Sequence, residues 1–361
     1  MSRNPFAAIL RQAQEPGTPS AGWQAAATLY HAYLTGLILL LANRRGAADV
    51  GEWSFRLFRR QHLAKFTSSF AKLGLHGLPD AVAAARYHYL ANAIGGVEVT
   101  YHEESAHKAW VHFRHPRWLY AGAAVCGVPV EVSHGFLRGW YGHNGNSMGN
   151  PRLGFVCTSQ DMTGQYGLAG YFFEYGHDLA EEERLQFSDE PIPAFDPAGV
   201  PGLDAAEWPP ERLHKANRNY AMDYIANGLP ELVDQIGAAN AAELGRLAGH
   251  LIGAQFFTEV AERLGLGEGP TAAHSFAAFM TALAQAQDDA AEWSADGDAA
   301  LVHQSSWRLM RGQSPDPAVF AAWNGLWPGA LAAYDPRLEL DVLGRLDRGD
   351  EAFEWRVGVR Q

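Results

Sequence analysis

The chain has 361 residues, a length typical of two domains, and its 47% hydrophobic and 19% charged residues are typical of a globular protein. Its formal net charge of -12 argues against binding to nucleic acid, which requires a concentrated basic face. Two cysteines are too few for a disulfide framework, and the N-terminus lacks a signal-peptide core. The most apolar run, Leu37 to Ala42, is much shorter than a membrane span of about 20 residues. We therefore expect a soluble cytoplasmic protein that contacts neither nucleic acid nor a membrane.

Helices are predicted for the first part of the chain, after a loose leader over residues 1–20. The predicted helices lie near 22–43, 47–73 and 79–94. Gly74, Gly77 and Pro79 separate the last two, because glycine and proline are signals that end one helix and precede the next.

Two β-hairpins are predicted after these helices. Val97 to Glu103 alternates between apolar and polar residues, as in a half-buried strand, and Ala109 to His115 would pair back on it across a turn. A short helix near 131–141 comes next, and a second hairpin is predicted from Leu153–Ser159 and Ala169–Tyr175. Helices segregated from an antiparallel sheet indicate the α+β class.

The second half of the chain repeats the first. Gly46-Ala47-Ala48 recurs 191 residues later as Gly237-Ala238-Ala239, and Phe66-Thr67 recurs in the same register as Phe257-Thr258. Runs of identities that hold one register predict two tandem homologous lobes. We expect each lobe to contain N-terminal helices and a four-stranded antiparallel sheet, and the two lobes to be arranged as a pseudo-dimer.

A change in composition predicts the domain boundaries. Residues 178–212 are acidic and rich in proline, which is typical of a linker. The first repeat is accordingly predicted over 20–177 and the second over 213–361.

The order helices, hairpin, helix, hairpin, with the closing segment Gly349-Asp350-Glu351-Ala352-Phe353, resembles the L-2-amino-thiazoline-4-carboxylate hydrolase family. It is also similar to the related 4-vinyl reductase domain. The resemblance implies an α+β fold and the hydrolytic opening of a small heterocycle. Those families usually place a cysteine in the closing strand, whereas Tyr171-Phe172-Phe173 and Phe353-Glu354-Trp355 contain none. A thiol or metal role at that position is therefore not implied here.

Reactive side chains are concentrated in the first repeat. Eleven of the 15 histidines and both cysteines precede the predicted linker. The positions of Cys157 and Asp161 are occupied in the second repeat by Val342 and Leu346. This asymmetry predicts an active first lobe and a structural second lobe, with simple sequence drift as the alternative.

The stretch from Val132 to Asn146 is predicted to cover the site. Glycines at 135, 139, 142 and 145 would let the backbone approach a ligand closely, and the polar side chains between them are of types that transfer protons. The alternative is an aromatic-rich loop that packs on the sheet.

Roles can be assigned to the polar residues of this repeat. We predict His134 or His143 as a general base, Cys157 as a nucleophile and Asp161 as an orienting group. An inert buried cysteine and a turn-forming aspartate are the alternatives for the last two. The predicted substrate-binding residues are His112, Arg138, Trp140, Tyr141, Asn144 and Tyr171. Because His303 is the counterpart of His112, a purely structural strand histidine is also left open.

These features predict an enzyme, a hydrolase or lyase, whose substrate is a small cyclic or aromatic molecule. No cofactor is predicted, because no glycine-rich nucleotide motif follows a strand. Haem or a single metal ion stays open, since His102, His107, His112 and His115 lie on one predicted hairpin. The alternatives are a non-catalytic small-molecule or haem-binding sensor and a purely structural partner protein. A homo-oligomer is also among the alternatives.

Overall fold

The computed structural model describes residues 5–114, 122–165, 167–195, 200, 202–204 and 206–360. Its residues form two compact units, each described here by itself. Unit 1 comprises Met1–Gln12 and Leu41–Ala216, and unit 2 comprises Ala13–Leu40 and Asn217–Gln361. Both units contain helices and an antiparallel-rich sheet, which confirms the α+β prediction.

Twelve helices lie in the described part of the chain. In chain order they are α1 (Pro5–Arg11), α2 (Pro19–Arg45), α3 (Ala47–Lys65), α4 (Phe70–Leu73), α5 (Asp80–Ile94), α6 (Val130–Gly139), α7 (Asn144–Met148), α8 (Pro210–Ile236), α9 (Ala238–Leu264), α10 (Ala272–Ala286), α11 (Pro317–Asn324) and α12 (Leu326–Tyr334). The strands are β1 (Val99–Ser105), β2 (Lys108–Phe113), β3 (Leu153–Ser159), β4 (Leu168–Glu174), β5 (Leu185–Phe187), β6 (Ala291–Asp296), β7 (Ala299–Gln304), β8 (Leu338–Gly344) and β9 (Phe353–Val359).

The stretch predicted as one helix over 47–73 is interrupted. Helix α3 ends at Lys65, and a 3-10 turn over Thr67–Ser69 precedes α4. The hydroxyls of Ser68 and Ser69 donate hydrogen bonds to the carbonyl of Lys65, at 3.1 and 2.8 Å. Hydroxyl side chains that bond to nearby backbone groups compete with the helical pattern, which accounts for the break.

The sheet of unit 1 has the strand order β1-β2-β4-β3-β5. Its first four strands are antiparallel and form the two predicted hairpins. The fifth, β5, was not predicted: it comes from the acidic stretch expected to be a linker and pairs in parallel with β3. Leu185, Gln186 and Phe187 alternate between apolar and polar residues, but three residues are too short for such a pattern to be recognised in sequence.

The sheet of unit 2 has the order β6-β7-β9-β8, so its four strands follow the same path as the first four of unit 1. The register shift between Val342 and Gly344 in β8 matches the one between Cys157 and Ser159 in β3. The turns that follow these two strands each contain a 3-10 turn closed by a left-handed glycine, with φ of 82° at Gly164 and 96° at Gly349. Positions in the two sheets can therefore be compared one by one.

Most of helix α2 belongs to unit 2, although the predicted boundaries assign it to the first repeat. The hydroxyl of Tyr30 donates to Gln287 Oε1 at 2.7 Å and accepts from the indole of Trp323 at 2.9 Å. Within the described residues, α2 is also the one helix long and apolar enough to cross a membrane, and 56% of its apolar window is buried. The expectation from Leu37 to Ala42 considered only the unbroken apolar run and not the whole helix.

Glycines bring helices into close contact in both units. A Cβ on Gly139 of α6 would lie 2.6 Å from the carbonyl oxygen of Phe55 in α3, and a Cβ on Gly135 would overlap the carbonyl oxygen of Gly51. In unit 2, a Cβ on Gly249 of α9 would lie 3.0 Å from the backbone nitrogen of Leu326. The prediction that Gly135 and Gly139 allow the approach of a ligand is therefore wrong, because the neighbouring helix occupies that space.

Candidate functional site

Unit 1 contains a buried group of polar and aromatic side chains that we call the histidine cluster: His62, His88, Trp140, His143 and Asn144. Its members come from α3, from α5, and from the segment that ends α6 and begins α7. The close packing of α6 on α3 places the end of α6 beside the last turns of α3. Residues far apart in sequence are thus brought together by helix packing.

His88 forms the buried side of the histidine cluster. Its ring stacks on Tyr141, with centroids 3.9 Å apart and planes inclined by 17°, and it lies near Phe172, at 5.3 Å and 10°. Its Nε2 is 2.9 Å from the side-chain nitrogen of Asn144. Burial, and then the neighbouring His62, hold the pKa of His88 well below its ordinary value. The imidazole is therefore neutral, and its Nε2 accepts a hydrogen bond from the Asn144 amide.

His62, which is fully buried, and His143, which is half-buried, are the other two histidines of the cluster. Nε2 of His62 is 2.8 Å from the hydroxyl oxygen of Ser147, and its ring lies 5.5 Å from Trp140 and 5.3 Å from His143. Burial, followed by the charges of His143 and Arg59, lowers the pKa of His62 to about 3. His143 is half-buried, and burial, followed by two arginines, lowers its pKa to about 4. Both imidazoles are neutral at neutral pH.

Three polar atoms of the histidine cluster are buried without a hydrogen-bond partner among the described residues. They are Nδ1 of His62, Nε1 of Trp140 and Oδ1 of Asn144. A buried polar group that lacks a partner costs about 1–3 kcal/mol, so such atoms are uncommon in folded proteins. The indole nitrogen is a donor and the amide oxygen is an acceptor, so the cluster offers both kinds of unused hydrogen-bonding capacity.

Two arginines lie near the half-buried side of the cluster. Arg59 donates to the carbonyls of Gly139 and Arg138, at 3.0 and 3.1 Å, and these contacts fix the end of α6. The charges of Arg59 and Arg184 both disfavour protonation of His143, whereas Glu181 opposes them and raises its pKa. The two arginines therefore add to the larger effect of burial, which keeps the imidazole of His143 neutral.

The structure brings four of the predicted site residues together: Trp140, Tyr141, His143 and Asn144. Two others make separate contacts in unit 1. His134 lies half-buried with its ring 4.9 Å from Phe187 of β5. Arg138 covers the ring of Phe55 at 4.1 Å and is largely exposed.

The predicted strand residues His112 and Tyr171 lie on the neighbouring strands β2 and β4. His112 of β2 pairs with Thr100 and Ala169 on either side and is half-buried. Tyr171 of β4 packs 4.5 Å from Trp110, and the ammonium group of Lys108 lies 4.3 Å above its ring. These contacts are those of a packed sheet face.

Cys157 has the environment of an inert thiol. It is 1% exposed, and its sulfur donates to the carbonyl of Ser159 at 3.4 Å. Burial raises the pKa of the thiol to about 12, which is the reverse of the change that a nucleophilic cysteine needs. Asp161 is buried and begins the 3-10 turn that ends at Thr163. These surroundings agree with the alternatives of a packed cysteine and a turn-forming aspartate.

A metal site does not emerge from the described residues, in which no three histidine, cysteine or acidic side chains could share one ion. His115, which the sequence placed on the first hairpin, lies outside the described residues. His107 of that hairpin pairs instead with Glu174, its Nδ1 lying 3.3 Å from the carboxylate.

Unit 2 contains a pocket whose chemical character differs from that of the histidine cluster. Its lining is wholly apolar and consists of Leu29, Gly253, Phe256, Phe257, Val260, Phe279, Leu283, Leu326, Trp327 and Ala330. It offers contact area for an apolar group but no side chain that can transfer a proton.

Two members of the histidine cluster, His62 and His88, were not predicted from the sequence. At the repeat spacing of 191 residues they correspond to Gly253 and Phe279, which have no ionisable group. The same comparison that drew attention to Cys157 would have found them, had it been applied to the helices. A histidine on the apolar face of a helix such as α5 is the signal that sequence reasoning missed.

The chain matches no protein-family model, and no curated protein or solved structure is significantly similar to it.

Proposed function

We propose that the protein is an enzyme that acts on a small cyclic or aromatic molecule at the histidine cluster of unit 1, by hydrolysis or lyase chemistry. The observation that carries this proposal is the set of three buried polar atoms on His62, Trp140 and Asn144 that have no hydrogen-bond partner within the described part of the chain. A ligand that supplied the missing hydrogen bonds would recover the cost of leaving them unpaired. Aromatic walls around them favour a flat ring.

The electrostatics of the cluster favour a neutral ligand. The three imidazoles are neutral, because burial lowers the pKa of His62, His88 and His143. The indole N–H of Trp140 would donate to a ring carbonyl, and the amide oxygen of Asn144 would accept from a ring N–H. A planar ring with adjacent N–H and C=O groups, as in a cyclic amide, has this combination.

The proton-accepting role belongs to His143, the half-buried imidazole of the cluster. A pKa lowered to about 4 leaves it in its basic form throughout the neutral range, although its affinity for a proton is modest. Turnover should therefore rise with pH through about 4 and then stay level towards neutrality. His134 packs on β5, and Cys157 is buried with a raised pKa, so neither is assigned a catalytic role here.

A second candidate is a non-catalytic sensor that holds the same ligand, or haem, without turnover. It is favoured by the neutral state of the imidazoles, because a neutral imidazole is also the form that binds iron. Purified protein with a Soret band that disappears in His143→Ala would support the haem form of this alternative.

We further propose that the chain arose by tandem duplication, with unit 1 active and the second repeat structural, and that it works in the cytoplasm. The shared strand order, the matching register shifts and the matching turn glycines support the duplication. The resemblance to thiazoline hydrolases is part of the same proposal.

Turnover assays with matched variants test the function. Wild-type protein would be incubated with a panel of cyclic amides and thiazolines, and ring opening followed by mass spectrometry. We expect His143→Ala to abolish turnover and His62→Gln to raise KM, whereas His134→Ala, a histidine of the same unit outside the cluster, stays active. Equal loss in His134→Ala, or full activity in His143→Ala, would contradict the assignment.

A further inference from the structure

Among the described residues, the edge strand β8 of unit 2 lacks a neighbour that its counterpart in unit 1 possesses. We propose that this edge binds an extended segment of a partner protein in parallel orientation, with two apolar side chains that flank a lysine or arginine. The proposal does not depend on the function assigned to the histidine cluster.

Unit 1 shows how such an edge is filled. Strand β5 pairs in parallel with β3, so that Leu185, Gln186 and Phe187 lie beside Phe155, Val156 and Cys157. The amide of Phe155 donates to the carbonyl of Arg184 at 2.8 Å, and the amide of Ser188 donates to the carbonyl of Cys157 at 3.0 Å. Two backbone hydrogen bonds therefore fix the direction and register of β5.

The corresponding backbone groups of β8 face outward. Strand β8 pairs with β9 in the register in which β3 pairs with β4, and the register shift falls at the corresponding position. Leu340 and Val342 occupy the positions of Phe155 and Cys157. The Leu340 amide and the Val342 carbonyl consequently point away from β9, towards the open side of the sheet. Among the described residues no strand lies on that side.

The side chains of β8 indicate which residues the bound segment should carry. Val342 and Leu343 are 39% and 56% exposed, which leaves apolar surface at the edge. Asp341 is exposed at the position where unit 1 has Val156 opposite Gln186. A lysine or arginine at the middle position of the incoming segment would complement Asp341, and apolar residues on either side would cover the exposed valine and leucine.

Edge strands often carry charges and bulges that prevent association, so Asp341 and the register shift could instead protect this edge. The shift alone does not prevent pairing, because β3 carries the same shift and still binds β5. The charge disfavours acidic segments and favours basic ones. The sign of the charge on the partner therefore distinguishes selective binding from simple protection.

The test uses a fluorescein-labelled peptide based on residues 183–188 of this chain, with lysine in place of the glutamine at its centre. Its binding to the full-length protein would be followed by fluorescence anisotropy. One control peptide carries an N-methyl group on the serine amide, which removes the hydrogen bond to the Val342 carbonyl. A second has glutamate at the central position. The protein variants are Asp341→Lys and, as a charge control on β9, Glu354→Lys.

We expect saturable binding of the lysine peptide and affinity weakened about tenfold by N-methylation. Asp341→Lys should weaken the lysine peptide and strengthen the glutamate peptide, and Glu354→Lys should leave this preference intact. The proposal is overturned if the lysine peptide does not bind at millimolar concentration. Equal binding of the N-methylated peptide, or the same effect in both protein variants, would also overturn it.

Discussion

The contact between α3 and α6 can be tested by placing one methyl group in it. In Gly135→Ala, the new Cβ would overlap the carbonyl oxygen of Gly51 and lie 2.9 Å from the backbone nitrogen of Phe55. Both neighbours are backbone atoms of α3, so the overlap is relieved only if α6 moves. Because Trp140 follows the end of α6, the histidine cluster should be displaced along with it.

The expected magnitude follows from two opposing effects. Overpacking a tight contact costs about 1–3 kcal/mol, and occasionally more. Replacing glycine by alanine within a helix stabilises the folded state by about 1 kcal/mol. Since the overlapping atoms are backbone, we expect the upper end of the cost and a net destabilisation of about 2 kcal/mol. In a unit of this size that corresponds to a Tm lower by roughly 4–8 °C.

The assay is thermal and urea unfolding followed by circular dichroism, with Gly176→Ala as the matched control. Gly176 is exposed, lies outside the left-handed region, and a Cβ there would meet nothing within 4 Å. We expect the control to be as stable as the wild type, within about 0.5 kcal/mol. If Gly135→Ala proves as stable as Gly176→Ala, the helix contact that positions the cluster is incorrectly described.

Three further outcomes are expected. Maleimide at pH 8 should modify exposed Cys126 and leave Cys157 unreacted in the native state; rapid labelling of both thiols would contradict the burial of Cys157. The folded-state pKa of His62, about 3, lies below its unfolded value, so its contribution to stability is present above about pH 6.5 and is lost as the pH falls towards 3. His62→Gln should therefore reduce the loss of unfolding free energy between pH 7 and pH 5 by about 2 kcal/mol, and an unchanged loss would refute this. The pH dependence that Asp289 gives to stability has the opposite sign. Burial raises its pKa to about 6, so its carboxyl destabilises unit 2 increasingly as the pH rises from about 4 to 6. Asp289→Asn should remove that part of the pH dependence of urea unfolding, and a parallel curve for the variant would show that the carboxyl is not buried as described.

Strand β1 could be predicted because the alternation of apolar and polar residues over Val97 to Glu103 follows directly from the geometry of a half-buried strand. The break after Lys65 could not, because it depends on serine hydroxyls that bond to particular carbonyls. Strand β5 could not either, since its three residues become a strand only when β3 offers a free edge. The position of α2 in unit 2 depends on tertiary partners such as Gln287 that no local pattern specifies.

Only part of the candidate site could be predicted, because some of its residues are joined by tertiary packing that no local pattern specifies. Trp140, His143 and Asn144 lie within one stretch of sequence, where their polar character among glycines was visible. His62 and His88 lie on separate helices and join the cluster only through packing. The glycines of that stretch were misinterpreted, because a glycine that admits a ligand and one that admits a helix look alike in sequence.

The binding of a flat cyclic amide to Trp140 can be observed directly by NMR. The indole N–H resonance of Trp140, identified by its absence in Trp140→Phe, would be followed during titration with 2-pyridone, which has adjacent N–H and C=O groups. We predict a saturable shift of that resonance, and a weaker response to N-methyl-2-pyridone, which cannot donate to Asn144. An indole resonance that does not move at millimolar 2-pyridone, or that responds equally to both compounds, would contradict a ligand site at these atoms.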